Sequence, residues 1–231
     1  MKKILLIVAL FFSLSSISLA QTNYYLRSSI EFYESHKLAS GEYRNILTEK
    51  DIQGSPYLND EFINGSIYTV SKTQFTDIPL RYNIYNQEIE FKNPENKVIA
   101  LGTPEVVEKV SFGEYTMVYI PFSYNKKVQN GFLKVLSEGK VSLYARPEIE
   151  FQKPKEPGAY REAEPAKFVP RDDRNFIRIG KDAAQMVVNK KEVIEVFPDH
   201  NDEIEAFIKQ NKINVKKQGE LKSVVEYYNS L

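Results

Sequence analysis

For chemistry, this 231-residue sequence offers two histidines, no cysteine and 31 carboxylate side chains. Without cysteine there is no disulfide, no thiolate metal ligand and no thiol nucleophile. His36 and His200 lie far apart, and neither falls in a spacing that nucleophilic catalysis uses. Both read as solvated residues, His36 in an N-terminal leader and His200 in a loop that caps a helix. Asp199, Asn201 and Glu203 imitate the first ligands of a calcium-binding loop. Ile204 then stands where that loop needs glycine, and Gln210 where it needs a bidentate glutamate. These residues fit better as helix caps and as complements to a helix N-terminus. Asp172 and Asp173, flanked by Arg171 and Arg174, read as a self-neutralising turn. No glycine-rich phosphate loop occurs. The sequence therefore predicts no catalytic residue, no metal site and no cofactor, and leaves open only a pair of carboxylates brought together by the fold, as in glycosidases.

Two features point to binding. Lys212, Lys216 and Lys217, with Lys209 and Lys222, form a basic patch opposed by the acidic run from Asp199 to Glu205. Such a dipolar surface suits an acidic partner, although lysines at helix ends are also ordinary solvated residues. Tyr82 and Tyr85 sit on opposite faces of an alternating strand, so at least one is expected at the surface. Aromatic rings on an open sheet bind sugars, lipids or peptides, and tyrosine is equally a good strand residue.

The elements that would position these residues are legible from periodicity and turn residues. Leu80, Tyr82 and Ile84 alternate with Arg81 and Asn83, and Ile89 and Phe91 with Glu88, Glu90 and Lys92. Phe132, Lys134 and Leu136 alternate with Leu133, Val135 and Ser137. The run from Tyr115 to Phe122 is apolar almost throughout, as in a strand covered on both faces, with Pro121 near its end. Asn64-Gly65 and Asn130-Gly131 each separate two such runs and predict type I′ hairpin turns. Further turns are expected at Asn93-Pro94-Glu95-Asn96, Gly113-Glu114 and Glu138-Gly139. About eight strands are predicted between Glu61 and Phe151. Five of the eleven prolines then fall between Pro147 and Pro170 among charged residues, which predicts an extended surface linker. Beyond it, Phe176–Ile179 and Gln185–Val188 flank Gly180-Lys181-Asp182 as a hairpin. Three helical stripes follow, the first capped by Asn189 with Glu192 three residues on. The expected architecture is α+β: an antiparallel β meander, half-barrel or sandwich over 55–151, a linker over 152–170, and a small β-hairpin plus helical C-terminal cap over 171–231.

The N-terminus sets the expected compartment. Lys2 and Lys3 precede the apolar run Ile4–Phe12, and Ser18-Leu19-Ala20 ends the segment with small residues, the layout of a secretory signal over 1–20. A leader over 21–54 would follow, and the mature product is expected in the periplasm or outside the cell, with no transmembrane span. The 31 basic and 31 acidic residues leave no net field to collect nucleic acid.

The segments Gly54-Ser55-Pro56-Tyr57-Leu58-Asn59-Asp60-Glu61-Phe62, Pro79–Tyr85 and Val224–Leu231 resemble a group of uncharacterised secreted proteins of Bacteroidetes-type bacteria. The resemblance implies an envelope location and carries no catalytic residue, ligand or cofactor with it. The functional expectation is a non-enzymatic periplasmic binding protein that engages an envelope protein, glycan or lipid. A carboxylate-dependent hydrolase and a lipid or lipoprotein carrier built on an open half-barrel are the alternatives.

Overall fold

The computed structural model describes residues 52–157 and 162–231. The expected signal segment, His36 and nearly all of the expected leader lie outside these residues. Among the described residues ten strands precede three helices, so the α+β class holds. The strands are β1 (Ile63–Thr69), β2 (Gln74–Asn83), β3 (Glu88–Lys92), β4 (Val98–Ala100), β5 (Val107–Phe112), β6 (Tyr115–Tyr124), β7 (Lys127–Ser137), β8 (Val141–Gln152), β9 (Lys167–Ile179) and β10 (Ala184–Val187). The helices are α1 (Lys190–Val196), α2 (Asn201–Gln210) and α3 (Gln218–Ser230). All ten strands belong to one sheet in the order β10-β9-β8-β7-β6-β5-β1-β2-β3-β4.

That sheet closes on itself over half its width. β10 also pairs with β6, Ala184 against Phe122 and Gln185 against Ser123, so β6 to β10 form a five-stranded barrel. An odd number of strands joined up and down cannot all alternate in direction, so the closing pair is parallel. β6 is the fork: Tyr115–Val118 pair with β5, while Phe122 and Ser123 pair with β10. Pro121 stands between the two pairings. The β6–β7 hairpin turns on Asn125 and Lys126, both at positive φ. In a two-residue turn the flanking pair, Tyr124 and Lys127, exchanges hydrogen bonds, and alternation then makes Pro121–Asn130 a non-bonded pair. The nitrogen of Pro121 therefore faces away from β7, at the point where β5 has ended and β10 begins. The lumen is filled by Val118, Phe122, Leu133, Tyr144, Phe176 and Ala184, at least one from each barrel strand.

Both asparagine-glycine turns expected from the sequence prove to be strand interior. Asn64 and Gly65 lie in β1, and Asn130 and Gly131 in β7. Their glycines serve close approach instead. A Cβ on Gly65 would lie 2.2 Å from the Ser111 carbonyl oxygen, and one on Gly131 would lie 3.0 Å from Cε1 of Phe122. The turns at Asn93–Asn96, Gly113-Glu114 and Gly180-Lys181-Asp182 form where expected, with Asn96, Gly113 and Gly180 at positive φ.

The described residues of the expected linker continue the pairing of β8 with β9. β8 and β9 pair from Val141–Ile179 to Gln152–Lys167, and Lys155 bridges Glu164 beyond them. Proline is tolerated because Pro147 sits at a bulge and Pro170 on a two-stranded ribbon with a free edge. The ribbon folds back on the body, where Phe168, Ala166 and Ile52 make a small core flanked by Phe151 and Tyr85. Gln53 exchanges backbone bonds with Ala166 and Phe168 and so ties the start of the described chain to β9.

The helices have no core of their own. Val193, Ile204, Ile208, Leu221, Val224, Val225 and Tyr228 bury against Val141, Leu143, Ile177 and Val187 on the outside of the barrel. Asn189 caps α1 as expected, accepting from the Glu192 backbone N–H at 3.0 Å, while the Glu192 carboxylate accepts from Val188. α2 begins after His200 at φ 59°, and Asp199, expected as a cap, accepts a hydrogen bond from the Tyr228 hydroxyl instead. The Asn229 amide bonds both the N–H and the carbonyl of Val141, docking α3 on the start of β8. Gly139 leaves room for it, since a Cβ there would meet the Asn229 amide at 2.5 Å.

Candidate functional site: a polar cleft between two sheet edges

Outside the barrel, β5, β1, β2, β3 and β4 curl over the outward face of β6 and β7. Leu80, Tyr82, Ile89, Val110 and Phe112 pack there against Met117 and Phe132. Tyr82, one of the two aromatics considered for the surface, is fully buried, 6.4 Å from Phe132 in an edge-on contact. Tyr85 is half-buried against Phe151 and Phe168. Neither forms an open aromatic platform, because the opposite face of β2 is covered as well. There Asn83 and Glu90 are both fully buried. Arg81 binds Glu90 through Nε at 2.9 Å and a terminal nitrogen at 2.7 Å, and Asn83 donates to the other carboxylate oxygen at 2.9 Å. The Arg81 guanidinium stacks 3.4 Å above the Tyr57 ring, with Phe62 on it as well. The 56–62 segment thus covers a face that simple alternation assigns to solvent.

The β2–β3 turn carries a second polar network towards the barrel. Gln87, at φ 59°, accepts from the Tyr82 hydroxyl at 2.9 Å and from Arg146 Nε at 2.7 Å. Its amide nitrogen donates to the Pro147 carbonyl at 3.2 Å. This contact falls where β8 leaves β7. Pairing between them runs only from Lys134–Ala145 to Ser137–Leu143, and a bulge between Arg146 and Glu148 carries β8 on with β9 alone. Gln87 is wedged into the fork. Burial pushes the Tyr82 hydroxyl well above the ordinary phenol range, so it remains a donor.

Beside the fork lies a cleft of about 500 Å³. One wall is β7 from Gln129 to Phe132, with the Phe122 ring over Gly131; the other runs from Ala100 at the end of β4 through Leu101 to Pro104. Asn86, Gln87, Glu88 and Arg146 line one end, and Tyr119 also contributes. Glu88 is bonded to the Asn86 amide at 3.0 Å, and its carboxyl is held above the usual carboxylate range by desolvation, with the nearby Glu90 charge adding to it. The buried side-chain amide oxygen Oδ1 of Asn86 has no hydrogen-bond partner among the described residues. Arg146 also pairs with Glu148 at 3.3 Å, which in turn meets Arg174 at 3.2 Å. The cleft therefore joins an unevenly solvated acid, a guanidinium, several amides and an aromatic ring.

The lysine candidates lie elsewhere, around the α2–α3 connection. Lys212, Lys216 and Lys217 are all exposed; Lys212 has φ 52° and Lys217 pairs with Glu220 at 2.9 Å. They share no site with the tyrosines. His200 is exposed and 3.3 Å from Glu203. Asp172 and Asp173 lie within β9 and not in a turn; Asp173 binds Lys134 and Gln218, each at 3.0 Å. The neighbouring arginines pair across the ladder, Arg171 with Glu150 and Arg174 with Glu148. Among the described residues no group of three or more metal-ligating side chains converges, and no helix is long and apolar enough to cross a membrane. Sequence reasoning does not single out Glu88, Arg146 or Gln87. Glu88 and Glu90 are visible as the polar side of β3, but nothing local separates the one that lines a cleft from the one that is buried.

Comparison with family models, with curated proteins and with solved structures finds no match to this chain.

Proposed function

We propose that the protein is a non-enzymatic binding protein of the bacterial periplasm whose ligand seats in the cleft between β4 and β7. The observation that carries this reading is the lining: Glu88, Arg146, Asn86 and Gln87 converge in one concavity with Tyr119, as in sites that hold a polar ligand by a few placed groups. The location rests on the Lys2-Lys3, Ile4–Phe12 and Ala20 pattern and on the resemblance of the chain to secreted proteins of Bacteroidetes-type bacteria. The filled barrel lumen argues against the lipid-carrier alternative, which needs an empty apolar concavity. Two measurements test the reading. N-terminal sequencing of periplasmic protein should begin at Gln21. In a thermal-shift panel of muropeptides, chitooligosaccharides, phospholipid vesicles and peptides, any stabilising compound should lose its effect in Gly102→Trp. Gly102 lines the cleft, and nothing stands within 4 Å of where its Cβ would be, so a bulky side chain can be added at the cleft wall without a clash at Cβ.

The carboxyl of Glu88 gives a carboxylate hydrolase one specific support, since an acid whose pKa is raised by desolvation is better suited to proton donation. Its neighbour Glu90 is committed to Arg81 and Asn83. Hydrolysis of aryl glycosides that is lost in Glu88→Gln would favour that reading over binding.

A further inference from the structure

The cleft lies between two strand edges that no other described strand covers. β4 ends the sheet order, and its last residue continues into Leu101, whose N–H still bonds Ile89 across β3. On the other side, β7 has lost β8 above Lys134. From the alternation set by the Asn125-Lys126 turn, Lys127, Gln129, Gly131 and Leu133 direct their backbone groups to β6, so Val128, Asn130 and Phe132 direct theirs away from it. Asn130 and Phe132 line the cleft. Their outward N–H and carbonyl groups enter no backbone pairing with another described strand or loop.

We infer that the cleft takes an extended polypeptide segment, which adds to β7 as a strand between its free edge and β4. The inference rests on the cleft being the binding site proposed above and names the ligand class. Alternating outward donors and acceptors at Asn130 and Phe132 match the two-residue repeat of an extended backbone. The fork wedged by Gln87 ends the slot on one side. Neighbouring Gly131 keeps the floor low, with the Phe122 ring covering it. Glu88, on the wall, favours a hydroxyl or basic side chain at the facing position of the peptide. The occupant is a strand of another protein, recognised mainly through its main chain.

The test uses the full mature chain. Decapeptides are selected from a random displayed library, synthesised with blocked ends, and measured by calorimetry alongside copies carrying a single backbone N-methyl at each position. Strand addition requires a parity effect: N-methylation at alternate residues weakens binding about tenfold or more, and at the residues between leaves it within about twofold. Asn130→Pro removes an outward donor without touching the β6 ladder, and should abolish binding while the melting temperature stays near that of the parent. If that variant fails to fold, amide exchange in the unaltered protein decides: the N–H groups of Asn130 and Phe132 should slow by about tenfold or more on adding peptide. Binding that is blocked by Gly102→Trp but shows no N-methyl parity keeps the cleft and overturns the strand. Selection of no peptide, with chitooligosaccharides bound in a Gly102→Trp-sensitive way, does the same. Slow exchange at Asn130 and Phe132 before any peptide is added also overturns it, because the edge would already be occupied. A panel in which no ligand is sensitive to Gly102→Trp overturns the cleft reading itself.

Discussion

The barrel and the outer sheet share β6 but solve the same problem in different ways. The barrel closes through the β10–β6 pairing, leaves the β7 edge ahead of Lys134 uncovered, and packs its lumen with apolar and aromatic side chains. The outer sheet curls without closing and ends at the β4 edge, and it buries polar groups: Glu90 with Arg81 and Asn83, and Gln87 with Tyr82 and Arg146. An unclosed sheet must hold its free edge at a chosen distance from the barrel, and the polar contacts of the β2–β3 turn do that by bonding to β8 at Arg146 and Pro147. A packed core gives stability; directional bonds at the fork give a cleft of defined shape.

The strongest contrast should appear on truncating the core of each half. Phe176→Ala empties the lumen at a fully buried site facing Phe122, and should cost about 3 to 5 kcal/mol in urea unfolding. Because β6 runs through both halves, the loss should appear as one cooperative transition; two separated transitions would mean that the halves fold independently.

Arg81→Ala should cost about 3 kcal/mol or more, because it leaves the Glu90 carboxylate buried without its cation. Replacing the pair together, Arg81→Met with Glu90→Leu, should restore most of that stability while loosening the β2–β3 turn, read as faster amide exchange at Asn86 and Gln87. A double variant as unstable as the single one would show that the pair contributes more than charge compensation.

The two glycines inside strands offer a finer comparison. Gly65→Ala forces a methyl against the Ser111 carbonyl, Cβ of Phe112 and Leu80, and should cost about 1 to 3 kcal/mol. Gly131→Ala meets only the edge of the Phe122 ring at 3.0 Å, so a small ring shift should hold its cost well below that of Gly65→Ala. Thermal melts of the two variants give the order directly.

The smallest expected effect has the opposite sign. Desolvation raises the Glu88 carboxyl above its unfolded value, so the ionised form destabilises the fold. This penalty is absent below the unfolded pKa, develops as pH rises from there through the folded pKa, and is complete above it. Glu88→Gln should therefore melt slightly higher than the parent at pH 7, with the difference vanishing in acid below about pH 4. A variant less stable at pH 7 would show that the Asn86–Glu88 bond outweighs burial. Better stability with lost binding would mark Glu88 as a residue kept for the cleft.

What the sequence determined by itself is local. The Asn189 cap with Glu192, the stripe of Leu221, Val224, Val225 and Tyr228, and the turns at Gly113 and Gly180 depend on residues within a few positions of one another. The alternating runs between Glu61 and Phe151 are strands for the same reason, since alternation is a property of one strand, but the runs on either side of Asn64-Gly65 and of Asn130-Gly131 are single strands, β1 and β7. Alternation does not say what lies over each face. Tyr82 became core because β7 brings Phe132 across it, and Glu90 became buried because the 56–62 segment lays Tyr57 and Phe62 over Arg81. An asparagine-glycine pair reports a chain that tolerates positive φ, yet the same absence of a Cβ also permits close approach, and only the neighbouring strands decide which use is made. The proline-rich stretch read as a linker because proline lacks a donor, but β8 and β9 place Pro147 at a bulge and Pro170 on a ribbon with a free edge, where no donor is missed. The cleft is the most tertiary feature of all. Its walls come from strands well separated in the chain, and it exists because the pairing of β7 with β8 stops at Lys134 while the outer sheet stops at β4, two endings that long-range register sets and that no local pattern records.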